Sequence, residues 1–231
     1  MAQNNKGSMK FIVILTVAVI AIIAAFVIVD NMTKEETAEN DTSTPAEPPS
    51  IEGQPTLGEK NAPVQIVEFG DYKCPSCKAW SEQVYPQLKA DYVDSGKASL
   101  SYINVLFHGE ASELAAKASE AVYKQAPDHF FEFSKAVYEA QPESHEEEWV
   151  TTEKLLKIAG ETVPDIDLEQ MREDMESEAI AQEVQKDSQM VEEYGIRLTP
   201  SVMINGQLVE NPFDYEKITS IIEEELEGNN E

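Results

Sequence analysis

The chain has 231 residues, of which 44 are acidic and 17 basic, and its formal net charge at pH 7 is −27. Such an acidic surface repels nucleic-acid phosphates and anionic lipid headgroups, which excludes a nucleic-acid-binding role. The two cysteines and the three scattered histidines argue against a structural zinc site, which needs four ligands at short spacing.

The first 30 residues are predicted to form a membrane anchor. An uncharged run over 11–29, FIVILTVAVIAIIAAFVIV, follows Lys6 and Lys10. As a helix with a rise of about 1.5 Å per residue, this run would cross most of a ~30 Å hydrocarbon core. A cleavable signal peptide is the alternative, but its apolar region is usually shorter, about 7–15 residues. The lysines before the run predict a single-pass protein of the cell membrane, with the rest of the chain on the extracytoplasmic side.

A disordered acidic stalk is predicted over 31–54. Thr, Glu, Asn and Pro dominate this segment, and large apolar residues are almost absent. It therefore cannot bury enough apolar surface to offset the entropy of ordering. The remaining residues, 55–231, are sufficient for one domain with a substantial core.

The domain is predicted to begin with a buried strand over 63–70, PVQIVEFG, in which Glu68 is the one charged residue. The run Cys74-Pro75-Ser76-Cys77 follows. A proline in the first turn suits the helix that comes next, because its missing N–H has no partner there. Apolar residues recur along that helix at helical spacing, at Trp80, Val84, Leu88 and Tyr92. A second strand is predicted over 98–106, ASLSYINVL.

From about 109 to 194, apolar positions share helical faces, which predicts three or four helices. The last of them is predicted to run without a break from Leu168 to Tyr194 and to end at Gly195. Methionines and aromatic residues on these faces indicate core packing.

Strand character returns at 199–204 and 207–209. Asn205-Gly206 lies between these two runs, and Asn-Gly is the strongest short signal for a β-hairpin. A final helix is predicted over 215–226. The order strand, helix, strand, helical block, hairpin and helix indicates an α/β fold with a helical insertion.

The cysteine pair lies where the first predicted strand meets the first predicted helix. A thiol at the first turn of a helix faces unpaired N–H groups and the positive end of the helix dipole, so its pKa falls. This placement predicts a nucleophilic Cys74 and redox chemistry. A structural disulfide in a tethered binding module is the alternative, although closing so short a loop would restrict the unfolded chain very little.

The run VEFGDYKCPSCKAW, the distant Thr-Pro that opens a hairpin and the helical block between them resemble the DsbA-like branch of the thioredoxin superfamily. With the anchor, the stalk and the run GQPTLGEKNAPV, the chain is similar to the membrane-attached BdbD-type oxidases of Bacillus relatives. The resemblance implies a thioredoxin fold with halves at 55–109 and 195–231. It implies a helical insertion at 110–194.

The resemblance also implies roles for five residues. Cys74 would be the exposed nucleophile, and Cys77 the partner that completes the disulfide. Glu68 would be a buried carboxylate that exchanges a proton with Cys77, whereas a half-exposed Glu68 facing water is the alternative. Thr199 would contact the disulfide, and Pro200, after a cis peptide bond, would present a backbone edge on which a substrate chain can lie.

The implied activity is disulfide formation in exported proteins by dithiol–disulfide exchange, with no organic cofactor. The implied partners are reduced exported proteins and a DsbB-like, quinone-linked membrane oxidoreductase that reoxidises the cysteine pair. The protein is expected to be a monomer held in the membrane by its N-terminal helix. A reductase or isomerase on the same scaffold is the alternative, although such isomerases usually carry an additional dimerisation domain.

Relatives of this kind can hold a structural Ca²⁺ away from the cysteines. The corresponding residues are Gln54, Glu120 and Asp187, whose oxygen donors suit a hard cation. Solvated surface charge is the alternative interpretation of these three residues.

DsbA-type sequences often place a histidine between the cysteines, but Ser76 occupies that position, which removes one source of thiolate stabilisation. His108 is expected to be a surface or capping histidine. Lys73 and Lys78 flank the cysteines and are considered as further stabilising charges, although exposed lysines usually contribute little.

Overall fold

The computed structural model describes residues 47–144 and 148–228. The predicted membrane anchor and most of the predicted stalk lie outside these residues. Within the described ranges, no helix is both long and apolar enough to cross a membrane. The membrane location of the chain stays a prediction.

A mixed sheet of five strands forms the centre of the described domain. The strands are β1 (Thr56–Leu57), β2 (Val64–Gly70), β3 (Ala98–Asn104), β4 (Ser201–Ile204) and β5 (Gln207–Leu208), arranged in the order β1-β3-β2-β4-β5. The central strand β2 runs parallel to β3 and antiparallel to β4. Its C-terminal end therefore leads from the middle of the sheet directly into the cysteine loop.

Eight α-helices pack around this sheet in the part of the chain that the structure describes. They are α1 (Pro75–Gln83), α2 (Tyr85–Leu88), α3 (Glu110–Gln125), α4 (Phe130–Glu139), α5 (Thr152–Thr162), α6 (Leu168–Glu176), α7 (Glu178–Glu193) and α8 (Tyr215–Gly228). A π-helical turn, Lys89–Val93, follows α2, and a 3₁₀ turn, Pro127–His129, precedes α4. Helices α3 to α7 form the insertion between β3 and β4.

The core has three parts. One face of the sheet packs against α1 and α8 around Ile66, Trp80 and Ile222, all of which are fully buried. The opposite face packs against the end of α7 around Phe69. The third part fills the helical insertion and reaches the fully buried Cys77, so the cysteine pair lies where the helical layer meets the sheet.

The prediction of one helix from Leu168 to Tyr194 is wrong, because the helix is broken at Ser177. Ser177 has an extended backbone, with φ −76° and ψ 148°, and its hydroxyl accepts a hydrogen bond from the Ile180 N–H at 3.3 Å. A serine in this position caps the N-terminus of a new helix. The described part of the insertion therefore has five α-helices, one more than the upper number predicted.

The predicted stalk, 31–54, is too long. The buried Pro49 places its carbonyl 2.7 Å from the Gln65 side-chain amide, which donates a hydrogen bond to it. Gln54 is only 7% exposed and donates to Asp187 at 2.8 Å. These contacts are made with residues distant in sequence, so the composition of the segment does not reveal them. The ordered domain begins before residue 55.

Gly70 ends β2 directly beneath two tyrosine hydroxyl groups. A Cβ at this position would lie 2.6 Å from the Tyr102 hydroxyl and 2.7 Å from the Tyr138 hydroxyl. The two hydroxyls are hydrogen-bonded to each other at 2.6 Å, and both rings are buried. The close approach of Tyr102 on β3 and Tyr138 on α4 to the central strand therefore requires glycine here.

Candidate active site

The cysteine pair is placed by the end of β2 and the start of α1. Cys74 is the N-cap residue of α1, and Pro75 is in its first turn, as predicted. Both cysteines are free thiols. Cys77 is fully buried, and Cys74 is only 7% exposed, so the expectation of an exposed Cys74 is wrong in degree. The Thr199 backbone approaches the Cys74 sulfur and helps to cover it, and in the protonated form of Cys74 the S–H donates a hydrogen bond to the Thr199 carbonyl at 3.3 Å.

The two thiols differ in acidity. The pKa of Cys74 is lowered to about 5, chiefly by a hydrogen bond from the Cys77 thiol and against the opposing effect of burial. Smaller contributions come from the Thr199 side chain and from the N–H groups of Cys77 and Ser76. Burial raises the pKa of Cys77 well above its ordinary value. At neutral pH Cys74 is therefore a thiolate and Cys77 a thiol, as a nucleophile and its buried partner require.

Glu68 is buried on the central strand, with 4% of its surface exposed. Its Oε1 atom has no hydrogen-bond partner among the described residues, and burial raises the pKa of Glu68 to about 8. The charge of Glu68 in turn raises the pKa of Cys77. The prediction of a buried carboxylate is confirmed, and the half-exposed alternative is wrong. Proton exchange between Glu68 and Cys77 stays a prediction.

The segment before β4 reaches the cysteines from a distant part of the chain. The Thr199–Pro200 peptide bond is cis, as the resemblance implies. Thr199 contacts the Cys74 sulfur across 125 positions of sequence. The roles of Thr199 and Pro200 in catalysis and substrate binding stay predictions.

Sequence reasoning missed Asp71, whose fully buried carboxylate accepts four hydrogen bonds beside the cysteine pair. Its donors are the Lys73 N–H at 2.8 Å, the Phe107 N–H at 3.0 Å, the His108 Nδ1 at 2.7 Å and the Ser112 hydroxyl at 2.7 Å. His108 is partly exposed, as expected of a surface histidine, but it is paired with this carboxylate. Aspartate directly after a strand often begins a turn, which is the signal that could have indicated Asp71.

Gln141, just after α4, was also missed. Its side-chain amide donates to the Tyr72 carbonyl at 2.7 Å and to the Cys74 carbonyl at 3.3 Å. The Lys78 ammonium donates to the Gln141 backbone carbonyl at 3.1 Å. These contacts tie the helical insertion to the cysteine loop. Neither Lys73 nor Lys78 is among the causes that lower the pKa of Cys74, so the suggested lysine stabilisation is not supported.

The three residues predicted to bind calcium lie together behind β3. Gln54 donates to Asp187 at 2.8 Å, and the Asn104 amide donates to Glu120 at 2.9 Å and to Asp187 at 2.8 Å. Burial, followed by the charge of Asp187, raises the pKa of Glu120 to about 8, and burial raises that of Asp187 to about 6. These carboxylates are therefore not simple solvated surface charges.

The donor set contains two carboxylates and two amides. Within 47–144 and 148–228, no cluster of three or more His, Cys, Asp or Glu side chains is arranged to hold a metal ion. The residues nevertheless suit a hard cation, because carboxylate and amide oxygens are ordinary Ca²⁺ ligands and the pKa values of the two buried carboxylates stay raised despite the charge of Lys186 near Glu120.

A family model described as thioredoxin matches residues 50–224. The chain belongs to the thioredoxin family. This thioredoxin-family chain is 44% identical over 180 residues to disulfide bond formation protein D of Bacillus subtilis (strain 168), covering 78% of the chain and 80% of that relative. It is 44% identical over 173 residues to the probable disulfide bond formation protein D of Bacillus anthracis, covering 75% of the chain and 78% of that relative.

Solved structures agree with this assignment. BdbD from Bacillus subtilis in its oxidised form matches with a TM-score of 0.74 and 44% identity, covering 78% of this chain and 96% of that one. Chlamydia trachomatis DsbA matches with a TM-score of 0.69 and 25% identity, covering 80% and 95%. The predicted DsbA-like thioredoxin fold with a helical insertion is confirmed. With its CxxC pair, this thioredoxin-family chain is a thiol–disulfide oxidoreductase.

Proposed function

We propose that the chain is an extracytoplasmic oxidase that introduces disulfide bonds into exported proteins. The observation that carries the proposal is the contrast between a Cys74 pKa of about 5 and a Cys77 pKa well above the ordinary value. A stable Cys74 thiolate favours the reduced form of the pair, so the oxidised form tends to accept electrons from other thiols. The names of the Bacillus relatives agree with this direction.

The exchange proceeds through a mixed disulfide. A substrate thiolate attacks the sulfur of Cys74, and the bond between Cys74 and Cys77 breaks as the new sulfur–sulfur bond forms. Cys77 leaves with the electron pair and takes up a proton, which the protonated carboxyl group of Glu68 can supply. A second substrate thiolate then attacks the substrate sulfur and releases Cys74 as a thiolate. The substrate leaves oxidised and the cysteine pair reduced.

The surroundings of Cys74 suit an unfolded protein chain. Leu198 is 64% exposed beside Thr199, and Phe107 is 46% exposed in the loop that binds Asp71. We propose that substrate lies along the backbone at Thr199 and Pro200, with these exposed apolar side chains in contact with it. The reduced pair would be reoxidised by a DsbB-like, quinone-linked membrane protein. The chain, as a monomer anchored in the same membrane, would reach this partner by lateral diffusion.

The reduction potential separates the oxidase from the reductase. We expect the full chain, equilibrated with glutathione buffers, to be half oxidised near about −120 mV, whereas a reductase would lie near about −270 mV. Thiolate absorbance at 240 nm should titrate with a midpoint near the Cys74 pKa of about 5. A potential near the reductase value would contradict the proposed direction. The absence of a low-pKa thiolate would favour a binding module with a structural disulfide.

We also propose that Gln54, Glu120 and Asp187 hold a structural Ca²⁺ together with Asn104. The ion would add positive charge beside two buried carboxylates whose pKa values are raised. Glu120 also lines an open cavity of about 380 Å³ with Gly53, Lys124 and Lys186, so a cation that enters there passes two lysines.

Calcium is expected to raise the melting temperature of the chain. At a concentration about a hundredfold above the dissociation constant, the rise should be roughly 5–10 °C, because only the folded state binds the ion. Glu120→Gln should lose this response. Asp174→Asn is the matched control, since Asp174 is also a buried carboxylate of the insertion but is paired with Lys124 at 2.8 Å. Equal melting temperatures of the wild type in Ca²⁺ and in EDTA would exclude the site.

A further inference from the structure

The main chain of Asp71 contacts both cysteines. Its N–H donates a hydrogen bond to the Cys77 sulfur at 3.4 Å, and its carbonyl accepts one from the Cys74 N–H at 3.0 Å. Asp71 immediately follows β2, so the central strand delivers its backbone to the cysteine pair. The position of this one residue decides whether a donor faces the buried sulfur.

The side chain of Asp71 fixes that position. Oδ1 accepts from the Lys73 N–H and the Ser112 hydroxyl, while Oδ2 accepts from the Phe107 N–H and the His108 ring. Each oxygen thus receives one backbone donor and one side-chain donor. A buried carboxylate held by four donors has little freedom to move, because displacing it would leave polar groups unpaired in the interior. The four donors also join the cysteine loop to the start of α3.

The Cys77 sulfur requires a hydrogen-bond donor during the exchange. Its sulfur is fully buried, yet it must carry negative charge when the disulfide bond opens. Among the causes that act on the pKa of Cys77, the Asp71 N–H is the one that favours the thiolate, whereas burial, Cys74 and Glu68 oppose it. A charge-assisted hydrogen bond in such a dry site is stronger than one between neutral groups.

We propose that Asp71 is a positioning residue for disulfide exchange. Its carboxylate, which accepts four hydrogen bonds, holds the Asp71 backbone N–H on the Cys77 sulfur, so that Cys77 leaves as a hydrogen-bonded thiolate. The step is the one given above. A substrate thiolate bonds to Cys74, the bond between Cys74 and Cys77 breaks, and the electron pair goes to Cys77. The inference rests on the exchange chemistry of the pair and adds the group that stabilises its leaving sulfur.

A purely electrostatic role for Asp71 predicts the opposite effect of mutation. A carboxylate near a developing thiolate repels it, so neutralising Asp71 by asparagine would speed the opening of the disulfide. Positioning predicts a slower reaction, because an amide has one oxygen and would turn its NH₂ towards a backbone N–H. The direction of the change therefore distinguishes the two roles.

The experiment compares reduction of the oxidised full chain by dithiothreitol in the wild type, Asp71→Asn and Ser112→Ala. We expect Asp71→Asn to react about tenfold more slowly and Ser112→Ala about threefold more slowly, since the latter loses one donor of four. The Cys74 thiolate titration should keep its midpoint near the pKa of about 5, because Asp71 is not among the causes that set it. Asp174→Asn controls for loss of a buried carboxylate and should react within about twofold of the wild type.

Asp71→Asn reacting as fast as the wild type, or faster, would overturn the proposal. A rate loss in Asp174→Asn equal to that in Asp71→Asn would also overturn it, because the effect would then be general destabilisation. If Asp71→Asn does not fold, an unchanged rate in Ser112→Ala overturns the proposal and a slower rate supports it. A wild type that fails to react with dithiothreitol would instead contradict the exchange activity itself, so the two failures are distinguishable.

Discussion

Replacement of Cys74 by alanine is expected to abolish thiol oxidation while the fold is retained. Without this sulfur the CxxC disulfide cannot form, so the chain has no oxidising equivalent to transfer. The remaining Cys77 is fully buried and has a raised pKa, so it cannot substitute as a nucleophile. The measurement is oxidation of a reduced two-cysteine peptide, with circular dichroism to follow the fold.

Cys77→Ala is the matched control for this prediction. It keeps the reactive Cys74, whose thiolate should attack glutathione disulfide, form a mixed disulfide and release one glutathione thiolate. Without the Cys77 thiol to displace it, this mixed disulfide should persist and be detectable as an added mass. Because the Cys77 thiol is the largest cause of the lowered Cys74 pKa, that pKa should rise in this variant. Catalytic peptide oxidation by Cys74→Ala above the uncatalysed rate would refute the assignment of Cys74 as the nucleophile.

Glu68→Gln is expected to stabilise the fold increasingly as the pH rises. The pKa of Glu68 is about 8 in the folded chain against an ordinary value of 4.5. Protonated Glu68 therefore makes its full contribution to the free energy of unfolding below about pH 4.5, and this contribution is lost as the pH rises through about 8. Glutamine has no such proton to lose. Urea unfolding should give the variant an advantage of a few kcal/mol at pH 9 and almost none at pH 4.

The same variant is expected to slow the exchange reaction. A neutral amide cannot give a proton to Cys77 or take one from it, so kcat should fall at least about tenfold with KM unchanged. Glu120→Gln, measured in EDTA, is the matched control, because Glu120 is another buried carboxyl with a pKa of about 8. It should gain stability at high pH without losing rate. An unchanged kcat in Glu68→Gln would show that Glu68 is a buried residue without a role in proton transfer.

The sequence was most informative where the controlling interactions are local. The β-branched run of β2, the proline in the first turn of α1 and the Asn205-Gly206 hairpin each depend on neighbouring residues, and the structure confirms them. The two-residue strand β1 was not predicted, since so short a segment has no periodicity. The break at Ser177 was missed because apolar residues recur every four residues on each side of it, although the step from Met175 to Ile180 is five residues and serine is a good capping residue.

The rest of the candidate site depends on contacts between distant residues. Asp71 is held by donors up to 41 positions away, and Gln141 bonds to carbonyls 67 and 69 positions away. No local pattern contains such pairs. Glu68 could be singled out because a charged residue is conspicuous in an apolar strand. The calcium residues and Thr199 were indicated by family resemblance, because oxygen donors cannot be distinguished from surface charge in so acidic a chain.

The distance in sequence between Cys74 and Thr199 has a consequence for biosynthesis. A chain is made from its N-terminus, so the CPSC loop exists before the segment that supplies Thr199, which lies 125 residues later. Until that segment packs against the loop, Cys74 lacks one of the contacts that lower its pKa. The environment that sets the acidity of Cys74 is therefore complete only when the segment before β4 has packed against the CPSC loop.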